Sequence, residues 1–564
     1  MRVAVTQFAS SSNFVENLAT CLRMINETMV CKPSLIVLPE FCNTQPYYQD
    51  HNQAWHDALA INGDFLQKIA QQAKNNNCYI LINITLRQDL KRDHQNGAIK
   101  SNISISSCLF SPLGKLMQQT DKQTLTASEE AFFICTNKAS EPIKTSFGKL
   151  GVLLGNDDVS FEASRAFALD GAQLLCHSLN SIALEHSDLH QPARACENNL
   201  FLASANKIGS LITTEQHQDV KAEKSPEKNS ADLAKSIVPN INLAGVGLVN
   251  KCRPDGTEIM QQRRGQFYQK YAPYKQQVLP AGQTLVHHKV PETANVAIFA
   301  TYKSNQQAID DVCHYIENNL SDIIQLPELF FVADKTITNS PESLSQIAGL
   351  CTELVKQISA VLRPFQYVCT SLVIDGVHQA VLISEKGLLA TQQQLHFCQR
   401  YQWTTLGDEI NIITIPLEQG VVKLAMLTAD DANIPEIVKL VALNSIQILL
   451  VPFDIQDPSE VQFSLLSRAA EHRICIVAAS REKSFAIHSV AKNSNTENKN
   501  KIKQQKSTGL IANLSTELSL SNQFESGKFN GYINKPLIKH QHGKITKAVI
   551  YPEAAVNKVI VSTI

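Results

Sequence analysis

Two pairs of segments in this 564-residue chain carry residues that could move protons. Leu35-Ile36-Val37-Leu38-Pro39-Glu40-Phe41 and Ile323-Ile324-Gln325-Leu326-Pro327-Glu328-Leu329 each end an apolar run on a glutamate. A carboxylate just beyond the carboxyl end of a buried strand stands where α/β folds place working side chains, and it can act as a general base. The second pair runs from Lys149 through Gly155-Asn156-Asp157 to Glu162, and from Lys423 through Ala429-Asp430-Asp431 to Glu436. Each is an apolar strand that breaks into an acidic turn. Gly155 has no side chain and Ala429 only a methyl, so neither can attack a carbonyl carbon.

The elements that must position these residues recur in the same order. The shift that carries Lys149 onto Lys423 also carries Arg194-Ala195-Cys196-Glu197-Asn198 onto Arg468-Ala469-Ala470-Glu471-His472, a register longer than chance spacing of common residues allows. Val3–Phe8 reads as a strand, Asn13–Met29 as an amphipathic helix and Leu35–Pro39 as the next strand. The second half repeats this over Val296–Thr301, Gln306–Asn319 and Ile323–Pro327. The chain reads as a tandem duplication of an α/β unit.

Taken in order, these motifs resemble those of the nitrilase, or carbon-nitrogen hydrolase, superfamily. Members show an apolar strand ending in Pro-Glu, then a lysine, then an apolar strand ending in Cys-Tyr-Asp with a glutamate five residues later. Here the resemblance falls on Glu40, on Lys122 in Asp121-Lys122-Gln123, and on Gly155-Asn156-Asp157 with Glu162. Glu130, or Glu129 beside it, matches a second acidic residue of the family site. Gly155 stands in the cysteine place. In the second half Glu328 is kept, Ala429 takes the cysteine place, and Thr391-Gln392-Gln393-Gln394-Leu395-His396-Phe397 matches the lysine strand without a lysine. The resemblance implies two four-layer α-β-β-α sandwiches, residues 1–280 and 296–564, joined by a linker at 281–295. It also implies that the two halves associate as an intramolecular pseudo-dimer.

In the family the glutamate takes the cysteine proton and the lysine steadies the oxyanion, so loss of the thiol closes the acyl-enzyme route. Two readings of Glu40 and Lys122 stay open: a retained ligand or acid–base site, or a buried ion pair kept for packing. Cys42 offers a thiol near Glu40 without a recognisable base. Asp157 and Asp431 are expected to cap the following helices. Glu185-His186 with His190 is a faint metal candidate lacking a third ligand, so neither a metal nor another cofactor is expected.

Composition sets outer bounds. Lys+Arg 51 against Asp+Glu 52 gives a formal charge of −1, which offers no electrostatic case for nucleic acid or an anionic membrane. No apolar run approaches the ~20 residues of a membrane helix. The 14 cysteines lack Cys-x-x-Cys spacing, and several lie in apolar runs such as Ile134-Cys135 and Leu175-Cys176, favouring reduced, buried thiols and a cytoplasmic location. Polar stretches near 213–240 and 492–507 read as disordered insertions. The expected function is a degenerate carbon-nitrogen hydrolase that binds a small molecule or a protein partner. The alternative is an active amide or nitrile hydrolase using Glu40 and Lys122 with a non-standard nucleophile.

Overall fold

The structure is a computed structural model and describes residues 1–88, 102–135, 140–180, 184–207, 211–213, 219–221, 235–237, 252–271, 290–301, 303–332, 340–489, 501–514, 536–538, 543–544 and 546–549. Contacts divide the chain into one unit built on Met1–Lys251 and another on Cys252–Glu517 with Asn534–Lys558. Among the described residues no helix is long and apolar enough to cross a membrane.

The strands of the first unit are β1 (Val3–Gln7), β2 (Leu35–Val37), β3 (Tyr79–Arg87), β4 (Ile103–Phe110), β5 (Leu116–Asp121), β6 (Ile143–Thr145), β7 (Gly148–Leu154), β8 (Leu174–Leu179), β9 (Phe201–Asn206), β10 (Leu211–Thr213), β11 (Asp219–Lys221) and β12 (Lys235–Ile237). They form two sheets, ordered β12-β1-β2-β3-β4-β5 and β11-β10-β9-β8-β7-β6. β1, β2 and β3 are parallel, as are β7, β8 and β9, and antiparallel strands flank each trio. The alternation of a strand splits β3 between two faces. Ile80, Ile82 and Ile84 pack with Leu18, Met24 and Ile25 of the helix Phe14–Thr28 and with Phe65 and Ile69 of the helix Asp64–Asn75. The first of these helices starts where expected because the Asn13 side chain accepts from the Val15 and Glu16 amides.

The second unit adds β13 (Thr293–Ile298), β14 (Ile323–Gln325), β15 (Tyr367–Ile374), β16 (Val377–Ser384), β17 (Gly387–Gln393), β18 (Ile412–Leu417), β19 (Gly420–Met426), β20 (Ile448–Pro452), β21 (Cys475–Ser489), β22 (Lys501–Leu514), β23 (Pro536–Ile538) and β24 (Thr546–Val549). Its sheets, β24-β13-β14-β15-β16-β17 and β18-β19-β20-β21-β22-β23, repeat the strand order and directions of the first unit. Along β13, Ala297 faces the helices Asn305–Glu317 and Pro341–Val361, while Val296 and Ile298 meet Leu424, Met426, Leu450 and Val477 from the other sheet. The helices Pro435–Ala442 and Leu465–His472 complete this unit, a four-layer α-β-β-α sandwich.

Three expectations meet corrections. The chain divides at Lys251 rather than near residue 280, because Cys252–Tyr271 packs on the second unit: Gln262 Nε2 donates to the Phe397 carbonyl (2.8 Å) and Arg264 Nη1 to those of Leu395 (2.8 Å) and Gly407 (2.6 Å). Periodicity cannot tell which core a short amphipathic segment will cover. Most of the expected linker, residues 281–289, lies outside the described residues. The polar stretch expected to be disordered to residue 507 becomes strand from Lys501, where His488 pairs with Ile502 and Ser484 with Lys506. A two-stranded ladder satisfies its backbone groups whatever the side chains, so polarity alone does not forbid it. Leu211–Thr213 and Asp219–Lys221 likewise pair within the first polar stretch, and the remainder of both stretches lies outside the described residues. Finally, Cys135 is exposed, as are Cys31 and Cys252, although most of the other thiols are buried.

Candidate functional site

The first unit brings Glu40, Lys122 and the Gly155 turn together at its strand ends. Beyond β2 the Leu38 amide donates to the Leu81 carbonyl (3.0 Å), and Ser178 Oγ donates to the Leu38 carbonyl (2.9 Å). The Glu40 amide donates to Leu179 (3.2 Å), and Phe41 then takes a left-handed φ of 56°. Buried Asn83 holds that turn, accepting from the Phe41 amide on Oδ1 (3.0 Å) and from the Cys42 amide on its carbonyl (2.9 Å). Glu40 is thereby fixed to two sheets at once.

Lys122 follows β5, its amide donating to Ile105 (2.8 Å). Its ammonium lies 3.1 Å from Glu40 Oε1 and 2.7 Å from Glu129 Oε1, and Lys122 and Glu40 are only 2% and 3% exposed. The second carboxylate is therefore Glu129, held by the capping box at Thr126, whereas Glu130 one residue on is exposed. One residue of helix rotation decides this. Asp157 does not cap the following helix. Its two oxygens accept from the Leu154 amide (3.2 Å) and the Thr124 amide (3.1 Å), tying the Gly155 turn to the lysine loop.

Gly155 has a φ of +50°, and its carbonyl sits 2.7 Å from His177 Nε2. A Cβ built on it would lie 2.3 Å from Lys122 Nζ and 2.7 Å from Glu40 Oε1. The ammonium thus fills the space a side chain at 155 would need. Two carboxylates share this one buried cation, so a proton settles on the weaker claimant. Burial pushes Glu40 up to about 7 against the pull of Lys122. Burial alone would lower Lys122, but Glu40 and Glu129 outweigh it and hold the amine well above its ordinary value. Lys122 is consequently a hydrogen-bond donor and not a nucleophile.

The second unit repeats the turn: the Glu328 amide donates to Phe453 (3.2 Å), Leu329 has a φ of 40°, and Ser371 Oγ accepts from the Leu329 amide (3.0 Å). The lysine strand lacks its lysine, but the one arginine between Lys386 and Lys423 supplies the charge. Arg400, on the short turn Gln399–Tyr401, reaches Glu328 Oε2 (3.1 Å), Asp430 Oδ2 (2.7 Å) and Asp454 Oδ2 (2.8 Å), and Tyr401 Oη donates to Glu328 Oε2 (2.9 Å). Sequence reading missed this arginine because it sought an ammonium at the aligned position, and Arg400 reaches in from the following turn.

Burial pushes Glu328 up to about 8, opposed by Arg400. Burial would raise Asp430 too, but Arg400 and Arg253 reverse that and hold it low. Asp255, Cys398 and Asp430 bring possible metal ligands within 4.8 Å of one another. The guanidinium already bonded to Asp430 is the cation of that cluster. Ala429 is buried at the start of the helix Ala429–Ala432, and Asp431 accepts from the Leu395 and His396 amides (both 2.9 Å), a loop tether like that of Asp157 rather than a cap on the next helix.

The remaining candidates lie elsewhere. Cys42 packs in the helix-side core, where its thiol donates to the Pro39 carbonyl (3.2 Å). Glu436 pairs with Arg263 Nε (2.6 Å), and Glu162 accepts from the Ser160 hydroxyl. His190 is buried, while the side chains of Glu185 and His186 lie outside the described residues. A cleft of about 530 Å³ lined by Lys32, Asn77, Tyr79 and Phe147 opens at the amino ends of β2 and β3, away from Glu40.

The chain is similar to several known proteins. The pattern of the carbon-nitrogen hydrolase family matches residues 2–229. The chain is 30% identical over 200 residues to the protein named "Probable nitrilase C965.09" of Schizosaccharomyces pombe, covering 34% of this chain and 69% of that one. It is 22% identical over 267 residues to a nitrilase of Pyrococcus abyssi, covering 45% and 93%. Among solved structures, an amidase from Nesterenkonia sp. AN1 aligns at 16% identity with a TM-score of 0.38 over 48% of this chain and 99% of its own. The chain belongs to the carbon-nitrogen hydrolase family.

Proposed function

We propose that this protein is a catalytically degenerate carbon-nitrogen hydrolase whose first unit binds a small carbonyl-bearing molecule without hydrolysing it. The observation that carries the reading is the position of Lys122 Nζ, inside the volume a nucleophilic side chain at Gly155 would occupy. An ammonium bonded to two carboxylates can still offer a proton to a ligand oxygen, but Gly155 beside it has no side chain with which to form an acyl intermediate. The shared strand order of the two units supports descent by tandem duplication, and Arg400 supports a second site turned over to an internal ion cluster.

One observation favours a second reading. Glu40 titrating near 7 is matched to activating water at neutral pH, with Lys122 polarising a carbonyl. General-base help without a covalent step contributes only about 10²- to 10⁴-fold, so such turnover would be slow.

The test is ammonia release by the full chain across amides, nitriles and ureido acids, with Glu40→Ala beside it. Thermal shift is read on the same compounds. The expected result is no release above the variant and a raised melting temperature with a subset of amides. Turnover that requires Glu40 would overturn the degenerate reading in favour of the second.

A further inference from the structure

Among the described residues, Lys207 is a lysine at the first site that the ion cluster does not use. It follows β9 directly, its amide held by Asn206 Oδ1 (2.8 Å). Asn206 is in register with Leu179 of β8, and Leu179 is the residue whose carbonyl fixes the Glu40 amide. The chain therefore delivers Lys207 to the same strand ends as Glu40. Its Nζ lies 5.9 Å from the centre of the Phe41 ring, the residue after Glu40. Among the described residues no carboxylate or carbonyl lies within hydrogen-bonding distance of that nitrogen.

The corresponding residue of the second unit is Arg481, which follows the Val477-Ala478-Ala479-Ser480 run as Lys207 follows Ala203-Ser204-Ala205-Asn206. Arg481 is spent on backbone carbonyls, donating to Leu329 (3.4 Å) and to Phe330. The first unit has an amine at this place, and among the described residues its nitrogen has no hydrogen-bond partner. Phe41 packs with Phe133 and Trp55, so the neighbourhood is apolar apart from the Glu40 cluster.

We infer that Lys207 is a carbonyl-reactive amine, and that the first unit captures small apolar aldehydes as an imine. The proposal rests on the reading of these strand ends as a ligand site. Burial lowers the amine to about 8, with Cys42 and Glu40 pulling weakly the other way. At pH 7 that leaves a free-base fraction about 300-fold above that of an ordinary lysine, offset in part by lower intrinsic nucleophilicity.

In the step itself the nitrogen lone pair forms a bond to the aldehyde carbon while the carbonyl π pair moves to oxygen, which takes the proton of the Glu40 carboxyl. The nitrogen returns one proton to Glu40. Glu40 then protonates the hydroxyl, the carbon–oxygen bond breaks to release water, and the nitrogen lone pair closes the C=N bond. The products are a protonated imine and the Glu40 carboxylate. Lys122 stays an ammonium throughout and cannot compete for the aldehyde.

The experiment treats the full chain at pH 7 with propionaldehyde and sodium cyanoborohydride for a short interval, then maps propylation of every lysine by peptide mass spectrometry. The expected result is Lys207 labelled at least tenfold faster than the median exposed lysine. Lys207→Arg should remove that adduct alone, and Glu40→Gln should slow it while surface lysines keep their rates. Circular dichroism confirms that each variant is folded. Labelling of Lys207 no faster than surface lysines in folded protein overturns the proposal, as does labelling that appears only after unfolding. Imine trapping with no thermal shift from any amide would sink only the amide-binding part of the proposed function.

Discussion

Lys122 Nζ stands 2.3 Å from where a Cβ on Gly155 would lie, so these two positions cannot both carry an undisturbed side chain. Restoring a thiol by Gly155→Cys should therefore fail to create a hydrolase. The new Cβ must displace the ammonium from Glu40 and Glu129 while adopting a φ of +50°, which L-residues resist by about 1–2 kcal/mol. Gly155→Ala and Gly155→Cys should each lower first-unit stability by about 2–4 kcal/mol, combining backbone strain with disturbance of a buried pair. Trp55, buried beside Phe41, is a local fluorescence probe for urea unfolding once Trp403 is replaced by Phe. Amide turnover by Gly155→Cys at wild-type stability would contradict the packing argument.

Glu40 makes the first unit pH-dependent in a particular direction. Its carboxyl is raised from 4.5 to about 7 on folding, so the folded state binds the proton more tightly than the unfolded chain. The stability this contributes is fully present below about 4.5 and is lost as pH rises through about 7. Against Glu40→Gln, which is neutral at every pH, the wild type should lose Trp55-monitored stability across that window. A difference that grows with pH would mean that Lys122 holds Glu40 ionised when folded.

Arg400 serves Glu328, Asp430 and Asp454 together, so its loss leaves Glu328 and Asp430 without their bonded cation, while Asp454 keeps Lys483 Nζ at 3.1 Å. Arg400→Met should destabilise the second unit by about 3–5 kcal/mol, the scale for removing one partner of a buried ion cluster. Arg400→Lys should recover only part of this, since an ammonium cannot fork toward carboxylates on three elements. Trp403 fluorescence in a Trp55→Phe background reports that unit. Equal stability of Arg400→Met and wild type would show that the carboxylates take up protons at no net cost.

Lys122→Met tests the first cluster in the same way and should cost more than Glu40→Gln. The methionine leaves Glu40 and Glu129 facing each other without the ammonium that bonds both, whereas the glutamine can still accept a bond from Lys122. Denaturation midpoints of the two variants and their double mutant give the coupling directly. Additive effects would mean that the pair does not act as a unit.

Much of this protein was legible in its residue order. Apolar period and punctuation placed Val3–Gln7, Phe14–Thr28 and Leu35–Val37 within a residue or two, because one buried face per element imposes its spacing on the chain. Glu40 and Glu328 could be placed beyond buried strands for the same reason, and the absence of a side chain at Gly155 needed no structure. Tertiary structure alone decided the partners. Glu129 rather than Glu130 meets Lys122, Arg400 replaces a lysine from a different turn, Asp157 and Asp431 bind loops rather than helix ends, and Cys252–Tyr271 packs on the second unit. Periodicity fixes which face of an element is buried. The reach and direction of a long side chain depend on atoms brought near only when distant segments pack, and no local pattern encodes that distance.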